Sequence, residues 1–96
     1  MDFKVLVSDQ ALNDLSDIID YVSRDNPEAA SHVGQSLLDH LRVLQSFPYA
    51  GELVPKRPRI RRLVHTPYKI YYRIHAVRKV VEILHFWHGS RRDPLA

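Results

Sequence analysis

The chain has 96 residues, which is enough for one hydrophobic core and too few for two, so we expect a single domain over residues 1–96. Its 45% apolar and 26% charged residues argue against disorder, and the absence of cysteine excludes a disulfide scaffold, a zinc ribbon and a cysteine nucleophile. The net charge is only +3. The sequence contains no apolar run of transmembrane length and no secretion signal, so we expect a cytoplasmic protein without membrane association.

The first elements are a strand and a helix. Alternation over 3–7 predicts a strand, and Ser8 is placed to cap the helix that follows. The helix pattern has an apolar stripe and a polar side, which we expect to face the core and the solvent respectively. The stripe is Leu12, Leu15, Ile18, Ile19 and Val22, and the polar side is Asn13, Asp14, Asp17 and Asp20.

A second helix follows at once. Asn26 is a suitable N-cap and Pro27 a suitable first helical residue, and the pattern predicts a helix to about Ser46, before Pro48. Its apolar stripe is Ala30, Val33, Leu37, Leu41 and Leu44. Two helices with so short a connection form a hairpin. Residues 49–58 then read as a loop because they contain glycine and two prolines.

Three β-rich segments complete the chain, over residues 59–65, 68–74 and 80–88. In the second, Tyr71 falls with Lys69 and Arg73 on a basic face. The last is apolar on both faces, which favours an internal strand, with Val81, Ile83, His85 and Trp87 on one side. We therefore predict an α+β fold of order β-α-α-β-β-β, with a helical hairpin on one face of a mainly antiparallel four-stranded sheet. The order of strands in the sheet stays open.

Charge is divided unevenly along the chain. From Lys56 onward there are eleven lysines and arginines against two acids, whereas the first 55 residues hold three against nine. Basic, tyrosine and histidine side chains therefore concentrate on the strands, and we expect a basic surface for a partner rich in phosphate or carboxylate.

The side chains point to phosphate chemistry more than to other kinds of site. His85 and His88 should face opposite sides of a strand, His32 and His40 lie eight residues apart, and we expect no metal and no cofactor. No paired carboxylates or serine-nucleophile motif stand out. Arginine, lysine, tyrosine and histidine on one sheet could instead hold phosphates and move a proton from a ribose hydroxyl.

Three segments carry a resemblance to a known family. They are 61–63 (Arg-Arg-Leu), 68–73 (Tyr-Lys-Ile-Tyr-Tyr-Arg) and 88–94 (His-Gly-Ser-Arg-Arg-Asp-Pro). With the order of elements, they resemble the RelE/ParE superfamily of toxins from bacterial type II toxin–antitoxin modules. Such toxins inhibit growth and serve in plasmid stabilisation. The ending with His88, Arg91 and Asp93 is closer to ParE-like sequences.

The resemblance implies two different activities. A ParE-like protein poisons DNA gyrase and carries no bond chemistry of its own. Its target-binding residues here would be Lys56, Arg57, Arg61, Arg62, Arg73, His88, Arg91 and Arg92. A RelE-like protein is an mRNA interferase, a ribosome-dependent endoribonuclease, for which Lys69, Arg73 and Arg91 would bind the scissile phosphate and His88 would carry the proton. We favour the ParE-like alternative. An inactive binding module is a third possibility.

Both activities imply the same regulatory partner. The resemblance predicts a cognate antitoxin that folds onto this domain in a hetero-oligomer, with acids over the basic surface and apolar side chains beside the helices. The other partner would be gyrase, or the ribosome and its messenger in the RelE-like alternative.

Overall fold

The computed structural model describes residues 2–92, so Asp93 and Pro94 of the closing segment lie outside the described residues. The chain forms β1 (Lys4–Val7), α1 (Asp9–Ser23), α2 (Pro27–His40), α3 (Val43–Ser46), β2 (Glu52–Val54), β3 (Arg57–His65), β4 (Tyr68–His75) and β5 (Val80–His88). Within residues 2–92, no helix is both long enough and apolar enough to cross a membrane.

The strands form one sheet in the order β1-β5-β4-β3-β2. β1 pairs with β5 in parallel, and all other neighbours are antiparallel. The predicted α+β class and mainly antiparallel sheet are confirmed, and the last predicted strand is internal. The strand count is corrected from four to five, because Glu52 and Leu53 in the predicted loop pair with Arg62 and Arg61. Three residues are too few for a periodic signal.

Both predicted helix caps are present. The Ser8 hydroxyl accepts a hydrogen bond from the Ala11 N–H at 3.1 Å, and the Asn26 side chain accepts one from the Ala29 N–H at 3.1 Å. These bonds satisfy amides that the first turn of a helix leaves free. The predicted end of the second helix is wrong, since α2 stops at His40 and a separate turn, α3, carries Leu44 into the core.

The core lies between the helices and one face of the sheet. Leu15, Leu37 and Leu44 pack against the central strands, where Ile70, Ile83 and Phe86 are almost completely buried. Gly34 lets α2 approach α1 closely, because a Cβ there would lie 2.9 Å from Cδ1 of Ile19. Burying each large side chain is worth about 1.5–3 kcal/mol, so these contacts fix α1 and α2 on the sheet.

Two side chains of α1 reverse the predicted faces. Leu12, which we placed toward the core, is 49% exposed, whereas Asp14, which we placed toward solvent, is 7% exposed. Asp14 bonds to groups of β5, and Leu12 lies two residues before it on the helix, about 200° away. Asp14 therefore lies on the side of α1 that faces the sheet, and Leu12 lies on the opposite side.

An irregularity in β5 overturns the predicted faces of that strand. Tyr71 is opposite His85 and Tyr72 is opposite Ile83, so Leu84 has no counterpart on β4. This extra residue reverses the alternation, and Phe86 rather than His85 continues the buried row of Val81 and Ile83.

The basic face predicted for β4 is also only partly correct. Tyr71, which alternation assigns to that face, is 0% exposed. It lies between Arg62 on β3 and His85 on β5, and its hydroxyl hydrogen-bonds the Arg62 guanidinium. Tyr71 is therefore buried between Arg62 and His85 and is not part of the exposed basic face.

Candidate functional site

Some of the candidate arginines are neutralised by carboxylates on the neighbouring strand. Arg62 binds Glu52 through Nε and Nη2, and this hydrogen bond is the main cause that raises the pKa of Arg62. Arg73 Nε lies 2.8 Å from Glu82 Oε1, which His75 Nε2 approaches to 2.9 Å. The bonds from Arg73 and then His75 lower the pKa of Glu82. The charge of each of these two arginines is therefore balanced by a neighbouring carboxylate in this structure.

The four candidate catalytic residues do not all converge. Lys69 is opposite Trp87 near one end of β4, and Arg73 is opposite Glu82, four residues and about 13 Å further along the strand. His88 ends β5, and Arg91 follows it. The Lys69 side chain also lies near this end of β5, since its Cε is 3.8 Å from the position that a Cβ of Gly89 would occupy. Arg73 is thus the member that stands apart.

A cleft between α1 and the end of β5 collects His88 and Arg91. We call it the α1–β5 cleft; its volume is about 190 Å³. It is lined by Asp14, Asp17, Ile18, Tyr21, Val22, Tyr68, Phe86, Trp87, His88, Ser90 and Arg91. The Arg91 guanidinium lies over the Tyr21 ring at 5.9 Å, within the range of a cation–π contact. Arg91 is therefore positioned by α1 as well as by its own segment.

The chemistry of the cleft centres on His88. Its ring meets Tyr68 edge to face at a centroid distance of 5.4 Å. His88 Nδ1 accepts from the Ser90 N–H at 3.1 Å, so the neutral ring carries its proton on Nε2. Burial raises the pKa of Tyr68, although the charge of Arg91 opposes this rise. Tyr68 is therefore a protonated hydrogen-bond donor at neutral pH, with a cation beside it.

Asp14 is the residue of this region that the sequence interpretation missed. Its Oδ2 accepts from the Phe86 N–H at 3.2 Å and from His85 Nδ1 at 2.9 Å, and its Oδ1 accepts from Gln10 at 2.9 Å. β1 pairs with β5 only as far as Ile83. After Ile83 this edge of β5 has no neighbouring strand within residues 2–92, and the Asp14 side chain bonds to it there. The signal was present, because Asp14 lies three residues after Ala11 and four before Ile18, on the helical spacing of buried positions.

A second concave region lies near the other end of the sheet, and we call it the basic groove. Its volume is about 580 Å³. It is lined by Tyr49, Leu53, Pro58, Arg59, Arg61, Ile74, His75, Ala76, Val77 and Arg78. Arg61 donates to the Gly51 carbonyl at 2.7 Å and lies over the Tyr49 ring at 4.9 Å. Of the candidate target-binding residues, Arg61 alone lines this groove.

The remaining candidates lie outside both concave regions. Lys56 occupies the turn before β3 with a positive φ of 63°, and Arg57 begins that strand. Arg92 is exposed at the end of the described chain. The structure thus divides the predicted basic surface into the α1–β5 cleft, the basic groove and the paired arginines between them. Among residues 2–92, no three histidine, aspartate or glutamate side chains form a group able to hold a metal ion.

A pair of histidines joins α2 to β3. Ser36 donates its only hydroxyl proton to the Val33 carbonyl at 3.1 Å, so His65 Nε2–H must donate to Ser36 Oγ at 3.2 Å. His65 Nδ1 then accepts from His40 Nδ1–H, 2.8 Å away. Burial, and secondarily the charge of His65, lower the pKa of His40. The environment of His40 therefore favours the neutral form of its imidazole.

We expect acidification to weaken the fold through this pair. Because the pKa of His40 is lower in the folded chain than its usual 6.5, the unfolded chain binds the proton first as the pH falls. The stabilisation is complete above the unfolded value and is lost as the pH falls through the folded pKa. Urea unfolding at pH 7.5 and pH 5.0 should give a smaller pH dependence for His40→Ala than for the unmodified chain. His32→Ala, at an exposed position of α2, should retain the original dependence; equal curves for both variants would refute this role of His40.

Comparison with known proteins adds an independent observation. A family model described as the ParE toxin of the type II toxin–antitoxin system parDE matches residues 5–93. A solved chain of the chromosomal ParDE system from P. aeruginosa has 26% identity and a TM-score of 0.76, covering 90% of this chain and 95% of that chain. A chain of the toxin–antitoxin complex RelBE2 from Mycobacterium tuberculosis has 20% identity and a TM-score of 0.63, with 92% and 99% covered, and so is similar in fold. No curated protein matches significantly.

Proposed function

Because this chain belongs to the ParE toxin family of type II toxin–antitoxin systems, we propose that it inhibits bacterial growth by poisoning DNA gyrase. The observation that carries the proposal is the family match over residues 5–93, nearly the whole domain. The ParE-like activity that the sequence resemblance implies needs a binding surface and no catalytic centre. The α1–β5 cleft, with an exposed arginine and exposed Tyr21 at its mouth, supplies such a surface.

The distribution of the basic residues supports binding over catalysis. Cleavage of RNA would require several groups within hydrogen-bonding reach of one phosphate. Arg73, one of the four candidates, is held by Glu82 about 13 Å along β4 from Lys69. A gyrase-binding surface has no such requirement, because contacts can be spread over an interface of about 800 Å² on each partner.

A ribosome-dependent ribonuclease is the second candidate, and one observation favours it. Lys69, His88 and Arg91 come near the same end of β5, beside the protonated Tyr68 hydroxyl. A histidine with adjacent cations could move a proton and stabilise charge on a phosphate. The two candidates therefore differ in whether purified toxin breaks RNA bonds.

We also propose a cognate antitoxin as the neutralising partner. The ParDE and RelBE2 structures that resemble this fold come from toxin–antitoxin systems. An apolar side chain of the antitoxin could enter the α1–β5 cleft between Ile18 and Phe86, and an acidic one could pair with Arg91 at its mouth. Such a segment would fold on binding, as disordered antitoxin tails can do.

Two parallel assays test the proposed function. We expect the purified toxin to abolish gyrase supercoiling or to accumulate cleaved plasmid, while messenger on translating ribosomes stays intact. Arg91→Ala should weaken the gyrase effect by about tenfold, the equivalent of 1.4 kcal/mol. Arg24→Ala, which removes the same charge at an exposed position after α1, should not.

Each alternative has its own result in these assays. Codon-positioned messenger cleavage with normal gyrase would replace the gyrase proposal by the ribonuclease. Absence of both effects would leave an inactive binding module. Addition of the cognate antitoxin should restore supercoiling, which controls for contaminating nucleases because they would not respond to it.

A further inference from the structure

The basic groove is lined by three arginines and by no acid of the described chain, although its lining residue His75 is bonded to Glu82 beside it. Arg59, Arg61 and Arg78 line it together with His75, and no aspartate or glutamate does. Among residues 2–92, neither Arg59 nor Arg78 forms an ion pair, whereas Arg62 and Arg73 on the neighbouring faces are each bound to a glutamate. The groove therefore brings together three arginines that no carboxylate of the described residues neutralises, and such a cluster of positive charge attracts an anionic ligand.

The groove is also organised in advance. Arg61 is held between the Gly51 carbonyl and the Tyr49 ring, so its guanidinium does not have to be ordered on binding. Arg59 lies two residues before it on β3, and both side chains line the groove. Arg78 comes from the turn between β4 and β5, next to Val77, which is 99% exposed. The three arginine side chains therefore line a part of the basic groove that solvent can reach.

Three separated guanidiniums match a repeating anion better than a single one. Guanidinium groups bind phosphate oxygens through paired, charge-assisted hydrogen bonds. The phosphodiester backbone presents such oxygens at regular intervals, and the groove, with a volume of about 580 Å³, is open to solvent. The exposed ring of Tyr49 and side chain of Leu53 at the wall could contact sugar or base edges.

We propose that the basic groove binds the phosphodiester backbone of double-stranded DNA. The choice of DNA over RNA rests on the proposed function, because gyrase holds a DNA duplex beside any protein bound to it. The groove then contributes a contact to that duplex, while the α1–β5 cleft is left for protein partners. Only Arg61 is shared with the residues that the sequence pointed to as target-binding.

Fluorescence anisotropy of the full chain with a labelled 20-base-pair duplex tests this proposal without gyrase. Affinity should fall with salt, and Arg59→Ala and Arg78→Ala should each reduce the slope of log K against log salt by about 0.9. At 50 mM salt this corresponds to roughly tenfold weaker binding for each variant. Arg59→Lys keeps the charge and should keep the slope. Arg24→Ala removes a charge remote in sequence from the groove residues and should bind as the unmodified chain does.

The possible results separate this proposal from the gyrase proposal. Equal losses in Arg59→Ala, Arg78→Ala and Arg24→Ala would show only a net-charge effect and would overturn the groove assignment. Tighter binding of a single-stranded RNA or of an acidic peptide than of the duplex would also overturn it. Groove-dependent DNA binding with normal gyrase would refute the gyrase proposal alone. If Arg59→Ala and Arg78→Ala lose DNA binding and still poison gyrase as the unmodified chain does, the gyrase proposal stands. The groove would then make no contribution to gyrase poisoning.

Discussion

Replacement of Asp14 by alanine is expected to lower the free energy of unfolding by about 3 kcal/mol. The substitution removes the acceptor of the Phe86 N–H and of His85 Nδ1, and it leaves a buried edge of β5 without a partner. A lost hydrogen bond to a charged group and an unsatisfied buried amide each cost about 1–3 kcal/mol. Urea denaturation at pH 7.5 measures the sum.

Two further variants isolate the cause. Asp14→Asn retains an oxygen acceptor at the same place and should cost about 1 kcal/mol, the typical worth of a neutral hydrogen bond. Asp17→Ala, one turn further along α1 at an exposed position, should change stability by less than about 0.5 kcal/mol. If Asp14→Ala is no more harmful than Asp17→Ala, water replaces the carboxylate at the strand edge.

The same carboxylate links stability to the candidate site. Asp14 lines the α1–β5 cleft while it attaches α1 to the strand that forms the opposite wall. The bonds from Asp14 to β5 therefore add a polar contact to the apolar packing that sets the separation of those walls. Asp14 is polar although it lies on the buried side of α1, because β1 ends at Val7 and leaves the Phe86 N–H of β5 without a strand partner. The Asp14 carboxylate accepts from that N–H.

Local features of this fold could be predicted from the sequence because they depend on neighbouring residues. Ser8 and Asn26 cap helices through amides three residues away, and the apolar spacing of α2 depends only on its own period. Features that depend on distant pairing could not. Leu84 lies in a segment that is largely apolar on both faces, so nothing in the local pattern marks it as the extra residue that directs Phe86 into the core.

The same distinction applies to the candidate site. The concentration of arginine after Lys56 is visible in the sequence, but the pairing of each arginine is not. Glu52 and Glu82 neutralise Arg62 and Arg73 because strand register puts them side by side, across ten and nine residues of chain. Among residues 2–92, Arg59 on β3 and Arg78 in the turn before β5 have no carboxylate partner. Whether an arginine on these strands is paired with a carboxylate therefore depends on how the strands are aligned in the sheet.

Replacement of Tyr72 by phenylalanine is expected to cost about 2 kcal/mol, although it deletes only one oxygen. The buried hydroxyl donates to the Pro48 carbonyl at 2.8 Å and accepts from the Gly51 N–H at 2.8 Å. Burial raises the pKa of Tyr72, so the hydroxyl keeps its proton and can donate. Without it, two buried backbone groups lose their partner, and thermal or urea unfolding will report the loss. Tyr49→Phe, at an exposed ring, is the matched control and should stay within about 0.5 kcal/mol.

This hydroxyl also positions the basic groove, so the variant should affect binding as well as stability. The Tyr72 hydroxyl fixes the segment that carries Tyr49 and the Gly51 carbonyl, and both of these hold Arg61. Tyr72→Phe should therefore weaken duplex binding under conditions where it remains folded. Gly51→Ala offers a second test, because its Cβ would lie 2.7 Å from the Tyr72 hydroxyl and 2.8 Å from the Arg62 carbonyl. If both variants lose stability yet bind DNA as tightly as the unmodified chain, Arg61 does not need this segment, and Arg59 and Arg78 alone account for the affinity of the groove.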